Sequence, residues 1–175
     1  ITTRLVGSEM CIRDRYSEKC ECVQNGISIE IQPEKGYQRL SISPGDTYIS
    51  LDFHVSPRWM GANNGVRADA GKAALMKGPL VYCLEEKENG RYLSEIFIEE
   101  NTSIEETAPA EELVGNVPTL SYKGIRVRNK GAAGENQLYG NVELEKEEVS
   151  LRAVPYCMWN NRGQGEMLVW HKLRI

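Results

Sequence analysis

From Cys22 onward, apolar and polar residues alternate in short runs separated by turn residues, which predicts β-strands rather than helices. Ile27, Ile29 and Ile31 share one face of such a run. A turn at 33–36 leads into a second alternating run at 37–42, and Ser43-Pro44-Gly45-Asp46 is a strong turn signal. In the next run Ile49, Leu51 and Phe53 face one side, and Tyr48, Ser50 and Asp52 the other. Together these runs predict an antiparallel meander with one buried face.

The pattern then breaks. Residues 56–71 read as a loop, suited to a domain junction. Residues 72–76 fit a strand or a short helix, whereas Leu80-Val81-Tyr82-Cys83-Leu84 is apolar enough for a strand buried on both faces. Lys87 to Gly90 forms a hairpin-type turn with Asn89-Gly90 at its tip, followed by a strand at 93–99. Residues 105–113 are the one helix the pattern admits. Further strands fall at 117–122 and 125–128, with a Gly/Ala/Asn-rich loop at 129–137. Strands at 142–144 and 149–154 flank a charged turn at 145–148, and 154–170 reads as two strands around a tight polar loop. Many short strands with frequent turns and little helix predict an all-β chain: one nearly complete antiparallel β-sandwich plus part of a second.

Composition adds limits. The 175 residues are 41% hydrophobic and 26% charged, ordinary values for a soluble globular chain with room for a core. A net charge of −4 argues against nucleic acid as a partner. Seven carboxylates lie between Tyr92 and Tyr122 without a Lys or Arg, which reads as a solvated face and loop. No apolar run approaches the roughly 20 residues needed to span a bilayer, so no membrane partner is expected. Five cysteines, an odd number, point to reduced thiols and a cytoplasmic compartment. Cys20-Glu21-Cys22 is too closely spaced for a zinc knuckle and reads as two residues on one strand face.

Residues 1–15 stand apart. Val6 to Arg15, reading VGSEMCIRDR, looks like translated sequencing-adapter read-through, which makes the segment foreign and implies a truncated gene. Charges at Arg4, Glu9, Arg13 and Asp14 also exclude the apolar stretch of a signal peptide.

Candidate chemistry is sparse. Glycoside hydrolysis usually needs two carboxylates about 5–9 Å apart. Glu85 and Glu86 are neighbours and point to opposite faces of a strand. Glu166 follows the flexible Gly163-Gln164-Gly165 and has Arg162 as a turn-holding partner. Neither His54 nor His171 is linked by pattern to Cys83 or Cys157 for nucleophilic catalysis, and Cys83 lies in the most apolar strand. A phosphate loop is absent, because no strand-to-helix context or following Lys surrounds the glycines. No residue is therefore assigned a catalytic, cofactor-binding or metal-binding role. The residues left as carbohydrate or domain-interface contacts are Trp59, Tyr156, Trp159, Asn161, Arg162 and Glu166, while Trp170 alternates with Leu168 toward a core.

Several of these stretches, in this order, resemble the C-terminal part of glycoside hydrolase family 127, the bacterial β-L-arabinofuranosidases and their relatives. They are Gly36-Tyr37, Pro44-Gly45-Asp46, Val66 to Lys72, Gly78 to Glu85, and Pro155 to Trp170. The resemblance implies an (α/α)-barrel catalytic domain followed by two β-sandwiches. By it, 16–55 would be part of the first sandwich, 56–158 the second, and 159–175 a strand returning to the first. The family's cysteine nucleophile, zinc ligands and acid/base carboxylate belong to the barrel, so zinc is expected there and no cofactor in this chain. The chain is accordingly expected to be a non-catalytic support for that barrel, its main partner. A carbohydrate-binding module, or an interaction domain forming a homodimer, is the alternative.

Overall fold

The structure, a computed structural model, describes residues 2–4, 8–13, 19–42, 46–109, 117–132 and 138–174. It divides into two compact units, Ile1–Ser56 and Pro57–Ile175.

The first unit contains β1 (Thr2–Arg4), β2 (Ser8–Ile12), β3 (Lys19–Gln24), β4 (Ile27–Ile29), β5 (Gln38–Ile42) and β6 (Asp46–His54). A four-stranded sheet runs β1-β6-β3-β4, and β2 pairs separately with β5. Register places Cys20 opposite Phe53, and Cys22 opposite both Leu51 and Ile29, so the expected alternation forms an apolar face. Cys22, Leu40 and Ile42 are buried. The segment set aside as foreign supplies β1 and β2, each laid against a strand edge. Such pairing uses backbone groups that any extended chain carries, so it leaves the compositional reading of residues 1–15 as it was. Residues 43–45, most of the expected Ser-Pro-Gly-Asp turn, lie outside the described residues.

The second unit holds β7 (Pro57–Gly61), β8 (Lys72–Lys77), β9 (Leu80–Glu85), a single helical turn α1 (Glu86–Asn89), β10 (Ile96–Glu99), β11 (Ile104–Thr107), β12 (Thr119–Asn129), β13 (Leu144–Pro155), β14 (Met167–Leu168) and β15 (Trp170–Arg174). Pairing runs β9-β13-β12-β10-β15-β8, and β8 pairs back with β9, closing six strands into a barrel-like ring. The all-β expectation stands. Where a sandwich has two facing sheets, this sheet closes on itself. The closing hairpin turns on Gly78-Pro79, with Gly78 at φ 56°, a conformation that glycine adopts without strain. Inside the ring pack Leu75, Tyr82, Leu84, Ile96, Ile98, Leu120, Leu151 and Ala153, and each fully buried large side chain is worth about 1.5–3 kcal/mol over exposure. As its composition predicts, β9 is covered on both faces: Tyr82 and Leu84 face this cluster, while Cys83 joins Val154, Met158 and Met167.

Tertiary pairing overrides several local expectations. Residues 105–107 of the expected helix lie in β11, against β12, and 110–116 lie outside the described residues. The expected charged turn at 145–148 lies inside β13, because Glu145 and Glu147 stand opposite Arg128 and Arg126. Opposed charges support a ladder that local composition disfavours. The expected loop at 56–71 begins with β7, whose Trp59 pairs across from Leu75. Residues 86–89 form a helical turn rather than a hairpin tip, since β9 pairs with β8, β13 and β14 instead of the following strand. Asn89 secures that turn, donating to the Glu85 and Arg152 carbonyls at 2.9 and 3.0 Å and accepting from the Arg152 amide.

The segment expected to return to the first unit is also corrected. β15 pairs with β8 and, in parallel, with β10, so it completes the second unit's ring. The acid-rich stretch is partly neutralised rather than simply solvated: Glu95 meets Arg126 and Arg128, Glu99 meets Arg174, and Glu106 meets Lys77.

One polar pair lies in the interior. Tyr122 Oη and His171 Nε2 are 2.6 Å apart, and His171 Nδ1 is 3.0 Å from the Val169 carbonyl. Donation from Nδ1 to that carbonyl leaves Nε2 to accept from the tyrosine hydroxyl, so the ring is neutral. Burial pushes the His171 pKa down to about 4, outweighing the backbone hydrogen bonds that favour its charge. The unfolded chain takes up this proton near pH 6.5, so the histidine's stabilisation is complete above that pH and is lost as pH falls toward 4. Between pH 7 and 4.5 the loss from this residue is about 2–3 kcal/mol. Urea unfolding should therefore show a smaller fall in stability, by about that amount, in Tyr122→Phe/His171→Phe than in the parent chain. Equal slopes for the two proteins would rule out His171 as the source.

Candidate functional site

The 154–170 stretch packs against the end of β9 and α1, forming a polar cluster in the second unit. β13 ends at Pro155, and Tyr156–Met158 forms a 3-10 turn closed by the Trp159 amide donating to the Tyr156 carbonyl at 3.0 Å. Asn160 then adopts φ 66°, a conformation that asparagine tolerates better than most residues. That bend lets its amide donate to Glu85 at 3.2 Å and brings Arg162 under the loop.

Arg162 is the cluster's centre. Its side chain is 3% exposed and Glu85's is 6%, with Glu88 at 20%. Nε donates to Glu85 at 2.9 Å, Nη2 reaches the same carboxylate, and Nη1 donates to Glu88. Burial works against the guanidinium's charge, but the hydrogen bonds it donates to Glu88 and Glu85 outweigh it and its pKa is raised. The alternative partner read from the sequence, Glu166, is engaged elsewhere. It accepts from the Leu93 amide at 2.8 Å, and its backbone exchanges bonds with Glu86. Gly165 makes that approach fit, because a Cβ there would lie 3.1 Å from the Cβ of Glu86. The hydrogen bond from the Glu166 amide holds the Glu86 carboxyl below its ordinary pKa, assisted by Arg91.

This arrangement fixes a loop and leaves little chemistry free. Glu85 and Glu88 converge on one guanidinium, rather than flanking a substrate as a hydrolytic pair must. The hollow between the loop and Glu86 is about 10 Å³, the scale of one water. Burial pushes the Cys83 thiol up to about 12, far from a reactive thiolate. His171 faces Tyr122 and Trp59. Among the described residues, no three metal-ligating side chains converge, and no helix is long and apolar enough to cross a membrane.

The six sequence-selected contacts separate. Trp59 lies edge-on to Tyr122 and His171, with ring centroids 5.0 and 5.3 Å away, and its Nε1 donates to the Thr102 carbonyl at 3.1 Å. Tyr156 and Trp159 are exposed and stack at 6.2 Å and 8°, forming a ledge on the locked loop. Asn161 is exposed beside them, while Arg162 and Glu166 hold the loop from beneath. The carboxylate partners of Arg162, buried Glu85 and more exposed Glu88, were missed as such. They are separated from it by more than 70 residues, and only the strongly apolar run preceding Glu85 hinted at its burial.

Comparison with known proteins places the chain. Residues 57–172 match the glycoside hydrolase family 127 C-terminal domain. The chain is 35% identical over 144 residues to a non-reducing end β-L-arabinofuranosidase of Bifidobacterium longum subsp. longum, covering 79% of this chain and 22% of that protein. It is also similar to the crystal structure of a family 127 β-L-arabinofuranosidase from Geobacillus stearothermophilus T6. There the TM-score is 0.77 at 33% identity, covering 97% of this chain and 27% of that one. A solved structure described as a glycoside hydrolase shares the fold, with a TM-score of 0.79 at 24% identity, covering 98% of this chain and 29% of that one.

Removing one member of a buried ion pair strands the other's charge, which costs about 3–5 kcal/mol. Arg162→Met should lower stability by about that much in urea denaturation, and adding Glu85→Met should recover at least about half of it. A double variant no more stable than Arg162→Met would show that the pair acts through packing rather than charge.

Proposed function

The chain belongs to the glycoside hydrolase family 127 C-terminal domain family, and on that footing we propose that it is the non-catalytic β module of a larger hydrolase acting on terminal β-L-arabinofuranosides. The observation that carries this is the disposition of its charged groups: Glu85, Glu86, Glu88 and Glu166 around the 156–166 loop are all engaged in holding it. The arabinofuranosidase activity of the relatives and the 22% and 27% shares of their length that this chain spans support the same reading. In this reading the reacting groups, and the zinc that the family implies, belong to an (α/α)-barrel outside the chain. Among the described residues no three metal-ligating side chains converge to hold zinc, and Cys83 packs among Val154, Met158 and Met167.

The same reading takes the closed sheet as a flattened second sandwich and residues 19–54 as part of a first. The Tyr156–Trp159 ledge, rigid and apolar, supplies the kind of contact by which such a module supports a catalytic domain. Five cysteines, an odd number, suit a reducing, cytoplasmic setting.

The purified 175-residue chain, incubated with 4-nitrophenyl β-L-arabinofuranoside, should release no nitrophenol above the buffer rate. Release proportional to protein concentration would place catalysis within this chain and overturn the proposal.

A further inference from the structure

The outer face of the β11–β12–β13 ladder carries a polar groove distinct from the signature loop. Register arranges it in rows. Glu105, Ser121 and Arg152 lie side by side across the three strands, and Lys123 faces Ser150 one row further on. Residues two apart share a face, so these side chains project away from the interior that Leu120, Tyr122 and Leu151 occupy. The groove has a volume of about 450 Å³, within the range of small-ligand sites, and joins a hollow of about 250 Å³ floored by Gly124 and Ile125.

Both walls are built rather than loose. On one side the turn after β10 is pinned at Thr102. Its carbonyl accepts from the Trp59 indole at 3.1 Å, its hydroxyl accepts from the Glu99 amide at 3.1 Å, and its own amide donates to the Glu99 carbonyl. On the other side Arg152 donates to Thr119 Oγ1 and to the Ala108 carbonyl, each at 3.0 Å. Trp59 thus supports the groove from inside the ring. Among the described residues Lys123, Glu105 and Glu148 have no hydrogen-bond or ion-pair partner, although they line one continuous depression. Nearby charges such as Glu106 and Lys77 are paired.

We propose that this groove binds a short neutral oligosaccharide. Lys123 and Arg152 face Glu99, Glu105 and Glu148, so neither a strong anion nor a strong cation is favoured. Ammonium donors, carboxylate acceptors and serine hydroxyls set in rows match sugar hydroxyls, each of which both donates and accepts. That the sugar contains L-arabinofuranose rests on the arabinofuranosidase reading above; the groove's preference for a neutral polyol does not.

The test is titration of an L-arabinofuranosyl trisaccharide into the full chain, followed by amide chemical shifts. Saturable binding with a Kd of about 1 mM is expected, with shifts at Ser121, Lys123 and Ser150. Lys123→Ala, and Ser150→Phe, which fills the groove, should each weaken binding about tenfold or more, with Trp159→Ala unchanged. No saturation by about 10 mM, binding undiminished in both groove variants, or binding lost in Trp159→Ala would each overturn the proposal. The aryl-glycoside assay fails independently. A chain that binds and also cleaves overturns only the non-catalytic reading, and one that does neither overturns only the groove.

Discussion

Closure of the sheet is the constraint on which the second unit depends. Six strands in a ring leave each member paired on both sides, so the alternation along every strand becomes a division between one shared interior and one shared exterior. β15 must enter between β8 and β10, running parallel to β10, and without it the ring would open along two edges. Closure also sets a limit on bulk. Where β12 passes from pairing with β11 to pairing with β10, a Cβ at Gly124 would lie 2.6 Å from Leu151 Cδ1 and 3.1 Å from the Phe97 carbonyl. The backbone comes too close to its neighbours there for any other residue without repacking.

Strands were legible wherever one side of the chain had to be apolar. Period-two alternation marked most of β5, β6 and β12, and the unbroken apolar run marked β9 as covered on both faces. What stayed hidden depends on partners distant in sequence. Glu145 to Glu148 reads as a turn by composition, yet it is strand because Arg126 and Arg128 stand across from it. Residues 105–107 read as helix until β12 supplies a ladder. The mistaken destination of 159–175 has a related cause: alternation says that a strand is there, but nothing local says which neighbours it will meet.

The site shows the same boundary at finer grain. The sequence singled out the loop's aromatics and its arginine, and Tyr156 and Trp159 do sit together at the surface. Yet the carboxylates that bury Arg162 lie on a distant strand end and turn, and the nearer Glu166 was the only candidate that proximity along the chain offered. Trp59 looked like a surface ring because its surroundings read as loop. Its register opposite Leu75 turns it toward Tyr122 and His171 instead.

Two of the unit's polar groupings differ in kind, and the difference follows from what surrounds each. Inside the ring, aromatic and aliphatic side chains dominate, so a charge would have little to offset its lost hydration. The polar pair there is accordingly neutral: Tyr122 and His171 share one hydrogen bond, and burial holds the histidine unprotonated. Outside the ring, under the 156–166 loop, two carboxylates meet Arg162, and the Asn160 amide donates to one of them, Glu85. A full charge is tolerable there because Glu85 is buried with it and Glu88 closes over it from the surface. Such a cluster adds less to stability than an apolar core of equal size, but its directional bonds fix one loop conformation. The neutral pair leaves the interior tightly packed, and the charged one determines how Tyr156 and Trp159 are presented to whatever meets this face.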